Sequence, residues 1–189
     1  MDFRALTRRV APSLVAVALL GGSAGAATRT VAKHTARAAR LTDANIAAIV
    51  LAANTIDIDN ANVALKTSND SSVTNFARQM VTDHTSVNDK AKALAAKLNL
   101  KPVPNATSRS LLNTTAAKRK KLAAMKGAAF NRAYMDNEVT YHQAVIDMLN
   151  DKLVPGAKNT ELHDLLTSVQ PAFAAHLEHA KQVRAALKD

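Results

Sequence analysis

The sequence predicts an all-α protein built as an antiparallel four-helix bundle, and three observations predict it. Apolar residues recur at three- and four-residue spacing over four long segments, which is the repeat of one helix face. No stretch alternates apolar and polar residues with period two, so no sheet is expected. The chain of 189 residues is rich in alanine and holds only 5 glycines and 5 prolines, a composition that favours helix.

Caps and breakers set the boundaries of the elements. In chain order, helices are predicted at about 42–68, 72–98, 107–126 (a short connector), 128–152 and 160–187. The first helix begins at the cap Thr42/Asp43, and Pro102 with Pro104 ends the first hairpin. Two long helices joined by a turn as short as 69–72 must pack antiparallel.

The N-terminus has the pattern of a secretory signal. Three arginines precede an apolar stretch at 14–20 that is too short to span a bilayer. The small residues at 24–26 suit a signal peptidase, so cleavage is expected after Ala26 or, as second choice, after Ala27. Residues 1–26 are therefore predicted to be a cleavable signal peptide rather than a retained anchor. The mature protein is expected to be periplasmic or secreted, with no transmembrane span.

The net charge and the absence of cysteine restrict the classes of partner and of metal centre that are expected. The formal net charge is +10, and the predicted flexible leader at 27–40 carries four basic residues and no acid. Such a leader can contact anionic surfaces of the cell envelope. Nucleic acid is not an expected partner, because the basic run at 118–121 has no interleaved aromatic residues to stack on bases. The absence of cysteine excludes disulfides and thiolate metal centres. The bundle domain is expected to span 41–189.

Five polar side chains fall on the apolar faces of the four long helices: Asp57, His84, Glu138, His142 and His176. Each lies within about two residues, or ~3 Å of rise, of the midpoint of its predicted helix. Midpoints share one level whichever way each helix runs, so these side chains are expected to meet mid-bundle. Burying three imidazoles and two carboxylates without partners costs several kcal/mol.

Two arrangements could offset this free-energy cost of burial. The set could hold a divalent cation, for which zinc, iron or copper suits mixed nitrogen and oxygen ligands. Alternatively, the groups could satisfy one another as a buried network in a non-catalytic structural or interaction module. An enzyme that activates a bound water is a third possibility. Asp83 is a candidate to orient the imidazole of the adjacent His84, and His179 is expected to face solvent.

Three stretches carry a resemblance to a known family: Phe76-Ala77-Arg78-Gln79-Met80-Val81-Thr82-Asp83-His84-Thr85, then Phe130-Asn131-Arg132-Ala133-Tyr134-Met135 continuing to His142, and finally Pro171 continuing to His176-Leu177. In these stretches the chain resembles the exported bacterial family called domain of unknown function 4142 (DUF4142), over about 41–187. The resemblance implies a ferritin-like bundle and export. It implies no defined activity.

The chain departs from two related patterns. The first-helix Glu that is usual in the family is Asp57 here, a shorter carboxylate that reaches less far into the core. Ferritin di-iron sites carry Glu-x-x-His on two helices, whereas Val81 and Phe173 stand three residues before His84 and His176. This argues against ferroxidase activity and leaves a mononuclear site, a degenerate site or none. The leading hypothesis is an exported metal-binding bundle that serves metal handling or stress tolerance.

Overall fold

The computed structural model describes residues 40–187, and this part of the chain is helical without any strand. The elements are α1 (Asp43–Thr67), α2 (Ser71–Lys97), α3 (Ala106–Ala123), α4 (Gly127–Met148), a π-helical turn (Leu149–Leu153), α5 (Val154–Gly156) and α6 (Thr160–Ala186). The predicted all-α class and its four long helices are confirmed. The predicted signal peptide and nearly all of the basic leader lie outside the described residues.

Side chains cap the starts of α1 and α2, and the cap of α1 is the Thr42 predicted. Thr42 accepts a hydrogen bond from the Asn45 amide, while the Asn45 side chain accepts one from the Thr42 amide. Asp70 caps α2 in the same way, since its carboxylate accepts from two amides of the first turn. The connector α3 has 18 residues, close to the short helix predicted at about 107–126.

The connector α3 runs parallel to α1. At the start of both helices Asn105 donates to the Asn45 carbonyl at 3.0 Å, and further along Arg119 lies 3.1 Å from Asp59. If the direction of α1 is called up, the chain therefore runs down in α2, up again in α3 and down in α4. The four long helices run up, down, down and up, with one crossover, which is the connectivity of ferritin-like bundles.

Two polar contacts join the ends of the helices. Ser68, at the end of α1, donates to Asn131 in the first turn of α4 at 2.7 Å. At the opposite end, the backbone amides of Lys158 and Asn159 donate to Asp43. These contacts set α4 antiparallel to α1 and α6 parallel to it.

Because α3 packs along α1, α1 has almost no polar face. Ala47, Ala48 and Ala52 are buried on the side away from the other long helices' main apolar stripe. A helix that is apolar nearly all round is a buried helix, and small side chains let its neighbours approach. No helix in residues 40–187 has the length and hydropathy needed to cross a membrane.

The apolar core is divided into an upper and a lower half. The upper half surrounds Phe76, Met80, Phe130, Tyr134, Met135 and Val183. The lower half surrounds Ile46, Ile49, Val145, Leu149, Leu166 and Phe173. Between the two halves lies a level of buried polar side chains, which we call the polar layer.

Candidate metal centre

The polar layer contains all five residues expected from the sequence. Asp57, Glu138 and His142 have no exposed surface, His84 is 1% exposed and His176 is 4% exposed. They come from α1, α2, α4 and α6, so every long helix contributes at least one. The structure therefore brings the predicted side chains together at one level of the bundle.

The three imidazoles form a nearly regular triangle. Ring centroids are 5.7 Å apart for His84 and His142, 5.4 Å for His84 and His176, and 5.5 Å for His142 and His176. One nitrogen from each ring lies within 4.8 Å of the other two. Three nitrogens on three helices thus face a common centre.

Each ring has its other nitrogen against an oxygen acceptor. His84 Nδ1 lies 2.7 Å from Asn54 Oδ1, and that amide is oriented by its own donation to the Val50 carbonyl. His142 Nδ1 lies 3.0 Å from the Glu138 carbonyl. His176 Nε2 lies 2.9 Å from Asp83 Oδ2. Because these oxygens only accept, the ring nitrogen must carry the hydrogen in each pair, and the tautomer of each neutral ring is fixed.

The inward nitrogen of each ring carries a lone pair that accepts no hydrogen bond within 40–187. These nitrogens are His84 Nε2, His142 Nε2 and His176 Nδ1, and all three lack a hydrogen-bond partner among the described residues. Buried acceptors without a donor are costly, and native interiors rarely leave several together. Three Lewis bases that converge without a donor fit a shared cation.

The protonation of two of these rings supports this reading. Burial lowers the pKa of His142, and the nearby Asp57 carboxylate only partly offsets that effect. Burial also lowers the pKa of His176, against a smaller upward effect of its hydrogen bond to Asp83. Both rings are therefore neutral near pH 7, which is the form that binds a metal.

Asp57 stands beside the inward nitrogens. Its Oδ2 lies 2.9 Å from His84 Nε2 and 3.3 Å from His142 Nε2. The atoms are close, yet they are not aligned for a hydrogen bond, so both the oxygen and the nitrogens remain unpaired. Two ligands at 2.0–2.1 Å from one tetrahedral ion stand about 3.3 Å apart. The 3.3 Å distance matches that spacing, whereas the 2.9 Å distance is shorter.

The two buried carboxyl groups differ in their proton affinity. Burial, and then repulsion from Asp57, raises the pKa of Glu138 well above its usual range. Burial would also raise the pKa of Asp57, but its close contact with the His84 ring, and then the nearby His142, lowers it. Oε1 of Glu138 accepts from Asn137 at 3.3 Å.

Two expectations about neighbouring residues were wrong. Asp83 does not orient His84, because successive residues on a helix point about 100° apart; it binds His176 of α6 instead. His179 is half-buried rather than solvent-facing, since its Nδ1 lies 3.0 Å from Gln79 and its ring packs edge-on against Phe76.

Sequence reasoning missed the amide that orients His84. Asn54 lies three residues before Asp57 on the same face, and this spacing was the available signal. Two further buried polar groups lie one turn along from the layer. Asn60 and the Tyr134 hydroxyl have no hydrogen-bond partner among residues 40–187.

Fold and site together define the class: an all-helical bundle whose core holds buried His, Asp and Glu groups that can bind a metal ion. The chain belongs to the family described as domain of unknown function (DUF4142), whose model matches residues 27–183. The resemblance noted in the sequence is thereby confirmed. Neither a curated protein nor a solved structure is detectably similar to the chain.

Proposed function

We propose that this protein is an exported metal-binding bundle that holds one divalent first-row ion in its polar layer and serves metal handling or stress tolerance. The observation that carries the proposal is the set of three buried imidazoles with fixed tautomers and unpaired inward nitrogens. Nothing in the described chain donates to these nitrogens, and a cation satisfies all three together.

The ligands are three nitrogens and one oxygen: His84 Nε2, His142 Nε2, His176 Nδ1 and Asp57 Oδ2. Such a set suits zinc, iron or copper better than calcium or magnesium, which prefer oxygen ligands. One nitrogen from each ring lies within 4.8 Å of one nitrogen from each of the other two, and Asp57 forms a group of the same size with Glu138 and His142. The nitrogens must close by at most roughly 1.5 Å to reach the ~3.3 Å spacing around a tetrahedral ion. Small rotations of the side chains provide this.

The outer partners of the rings support the same function. Metal-binding histidines commonly donate their second nitrogen to a carboxylate, a carbonyl or a similar oxygen, which fixes the ring and raises its basicity. Asp83, the Glu138 carbonyl and Asn54 hold these positions here. Glu138 lies at the edge of the site, and its raised pKa makes it a weaker candidate ligand than Asp57.

Elemental analysis tests the proposal directly. The mature protein is exported natively and purified without a chelator or an affinity metal, and about one equivalent of zinc, iron or copper is expected. Added ion should also raise the melting temperature, because only the folded bundle assembles the ligands. His84→Ala and His176→Ala should abolish that shift, whereas His163→Ala, at an exposed ring, should keep it. Wild type without any metal-dependent shift at neutral pH would refute the proposal.

One observation favours a second candidate, a structural module without metal. Asp57 Oδ2 lies 2.9 Å from His84 Nε2, a distance that an imidazolium–carboxylate pair also adopts after a small rotation. Such a pair would fix the register of the helices. Nitrogen NMR of the imidazoles distinguishes the candidates, since this module needs a doubly protonated His84 at pH 7 and the metal site needs a neutral one.

Export is part of the proposal. It rests on the predicted signal peptide at 1–26, and the family match begins at residue 27. The basic leader would then contact anionic surfaces of the cell envelope. Mass spectrometry of the natively exported protein should give a chain that starts at Ala27 or Thr28. A mass that retains residues 1–26 would show an anchor instead.

A further inference from the structure

The polar layer is closed to solvent on most sides within residues 40–187. Asp57, Glu138 and His142 have no exposed surface, and His84 has almost none. The exception is the pair formed by His176 and Asp83, because the Asp83 side chain is 42% exposed while its oxygen holds the ring. A side chain that reaches both solvent and a ligand of the layer marks a place where an ion can pass.

This pair belongs to a seam between α2 and α6. One turn from it on both helices, His179 Nδ1 lies 3.0 Å from Gln79 Oε1. The amide oxygen only accepts, so His179 carries its hydrogen on Nδ1 and a lone pair on Nε2. The seam therefore offers a carboxylate and a second imidazole near the surface, directly outside the least buried ring of the layer.

We propose that the α2–α6 seam is the loading path for the ion, with Asp83 and His179 as capture ligands and His176 as the carrier; this rests on the proposed metal-binding function. A hydrated cation first meets the exposed carboxylate of Asp83. As the cation binds this oxygen, it competes with the His176 N–H for it. The released ring can then turn so that Nδ1, which carries the lone pair, takes up the ion and brings it to the inward nitrogens of His84 and His142.

The opposite side of the bundle is a poorer path. A cleft of about 490 Å³ between α3 and α4 reaches Asn137 and Tyr141. However, Asn137 and Tyr141 are neutral, and their hydrogens are donated to Glu138 and to the Ala53 carbonyl, so the described residues that line this side include no carboxylate or imidazole to capture a cation. Lys118 also lines this cleft, and its positive charge repels a cation.

Stopped-flow uptake of Zn²⁺ by the signal-free protein, followed with a chromophoric chelator, tests the path. Asp83→Asn keeps an acceptor for His176 but removes the charge that attracts the ion. The association rate is expected to fall about tenfold or more. His179→Ala should slow uptake in the same way without touching the layer. Its dissociation rate should fall as well, so that Kd changes less than about threefold, because a path residue outside the layer alters the barrier and not the bound state.

Two control variants test whether slower loading is specific to the α2–α6 seam. Asp89→Asn removes the same charge from an exposed position on the same helix and should load like wild type. Asn137→Ala on the cleft side should also load like wild type. Equal loading rates for wild type, Asp83→Asn and His179→Ala would overturn the path and leave the metal site standing. Slower loading of Asn137→Ala alone, or a weaker Kd of His179→Ala caused only by faster dissociation, would overturn it too. Wild type that binds no Zn²⁺ would instead refute the proposed function.

Discussion

The substitution Asn54→Ala tests a residue that orients a proposed metal ligand without binding the ion itself. Asn54 is 2% exposed, and its Oδ1 accepts from His84 Nδ1 at 2.7 Å. Removing the amide leaves the ring N–H buried without an acceptor, which costs about 1–3 kcal/mol of folding stability. It also frees His84 to adopt the other tautomer, which places a hydrogen where the ion binds. Loss of such an orienting partner typically weakens metal affinity about 10–100-fold.

Asn60→Ala is the matched control on the same helix. Asn60 is 1% exposed, but neither atom of its amide has a partner among the described residues. Truncating it removes an unsatisfied polar group, so metal affinity should be unchanged and stability close to neutral, apart from the small cavity left behind.

The assay is a chelator competition at pH 7.5, together with urea unfolding of the apoprotein. Asn54→Ala should bind the ion about 10–100-fold more weakly than Asn60→Ala. In a His84→Ala background the same substitution should lose most of this effect, because no ring remains to be oriented. Equal affinities for wild type, Asn54→Ala and Asn60→Ala would refute the assigned tautomer and with it the reasoning for the site.

Three further predictions concern the two buried carboxyl groups and the histidine rings of the polar layer. Asp57→Asn should weaken metal binding by about 100-fold or more in the same competition assay, because it removes the charged ligand. Glu138→Gln replaces a carboxyl whose raised pKa favours its neutral form, so affinity at pH 7 should stay within about threefold of wild type. The apoprotein should lose stability in urea as pH falls from 7.5 to 5.5. The lowered pKa values of His142 and His176 mean that the unfolded chain takes up protons first, below about 6.5, at ~1.4 kcal/mol per proton and pH unit. A flat profile over this range would contradict neutral rings.

The helices and the level of the polar layer were predictable because each rests on local periodicity. The face of a helix is fixed by residues three and four apart, and errors of two residues at an end do not rotate it. His84 and His176 were placed inward from their own helices alone. Helix midpoints then set a common depth, whatever the order of the connections.

The partners of the polar groups were not predictable in the same way. Periodicity tells which face a residue occupies, but not which neighbouring helix it meets. Asp83 was assigned to the residue beside it, whereas it pairs with His176, far away in the sequence. Asn54 was overlooked because α1 carries no clear polar face to contrast with it. That face is missing because the crossover helix α3 covers it, and this packing exists only in three dimensions.

The positions of the proposed ligands along the chain bear on when and where the protein can acquire an ion. The first ligand is at residue 57 and the last at residue 176, on helices at opposite ends of the chain. No partial bundle contains the proposed ligand set, so under the proposed function the site forms only when the fold is complete. Affinity for divalent ions rises towards copper in most sites of this kind. The ion supply of the compartment in which the last helix docks, rather than the preference of the ligands, would then select the occupant.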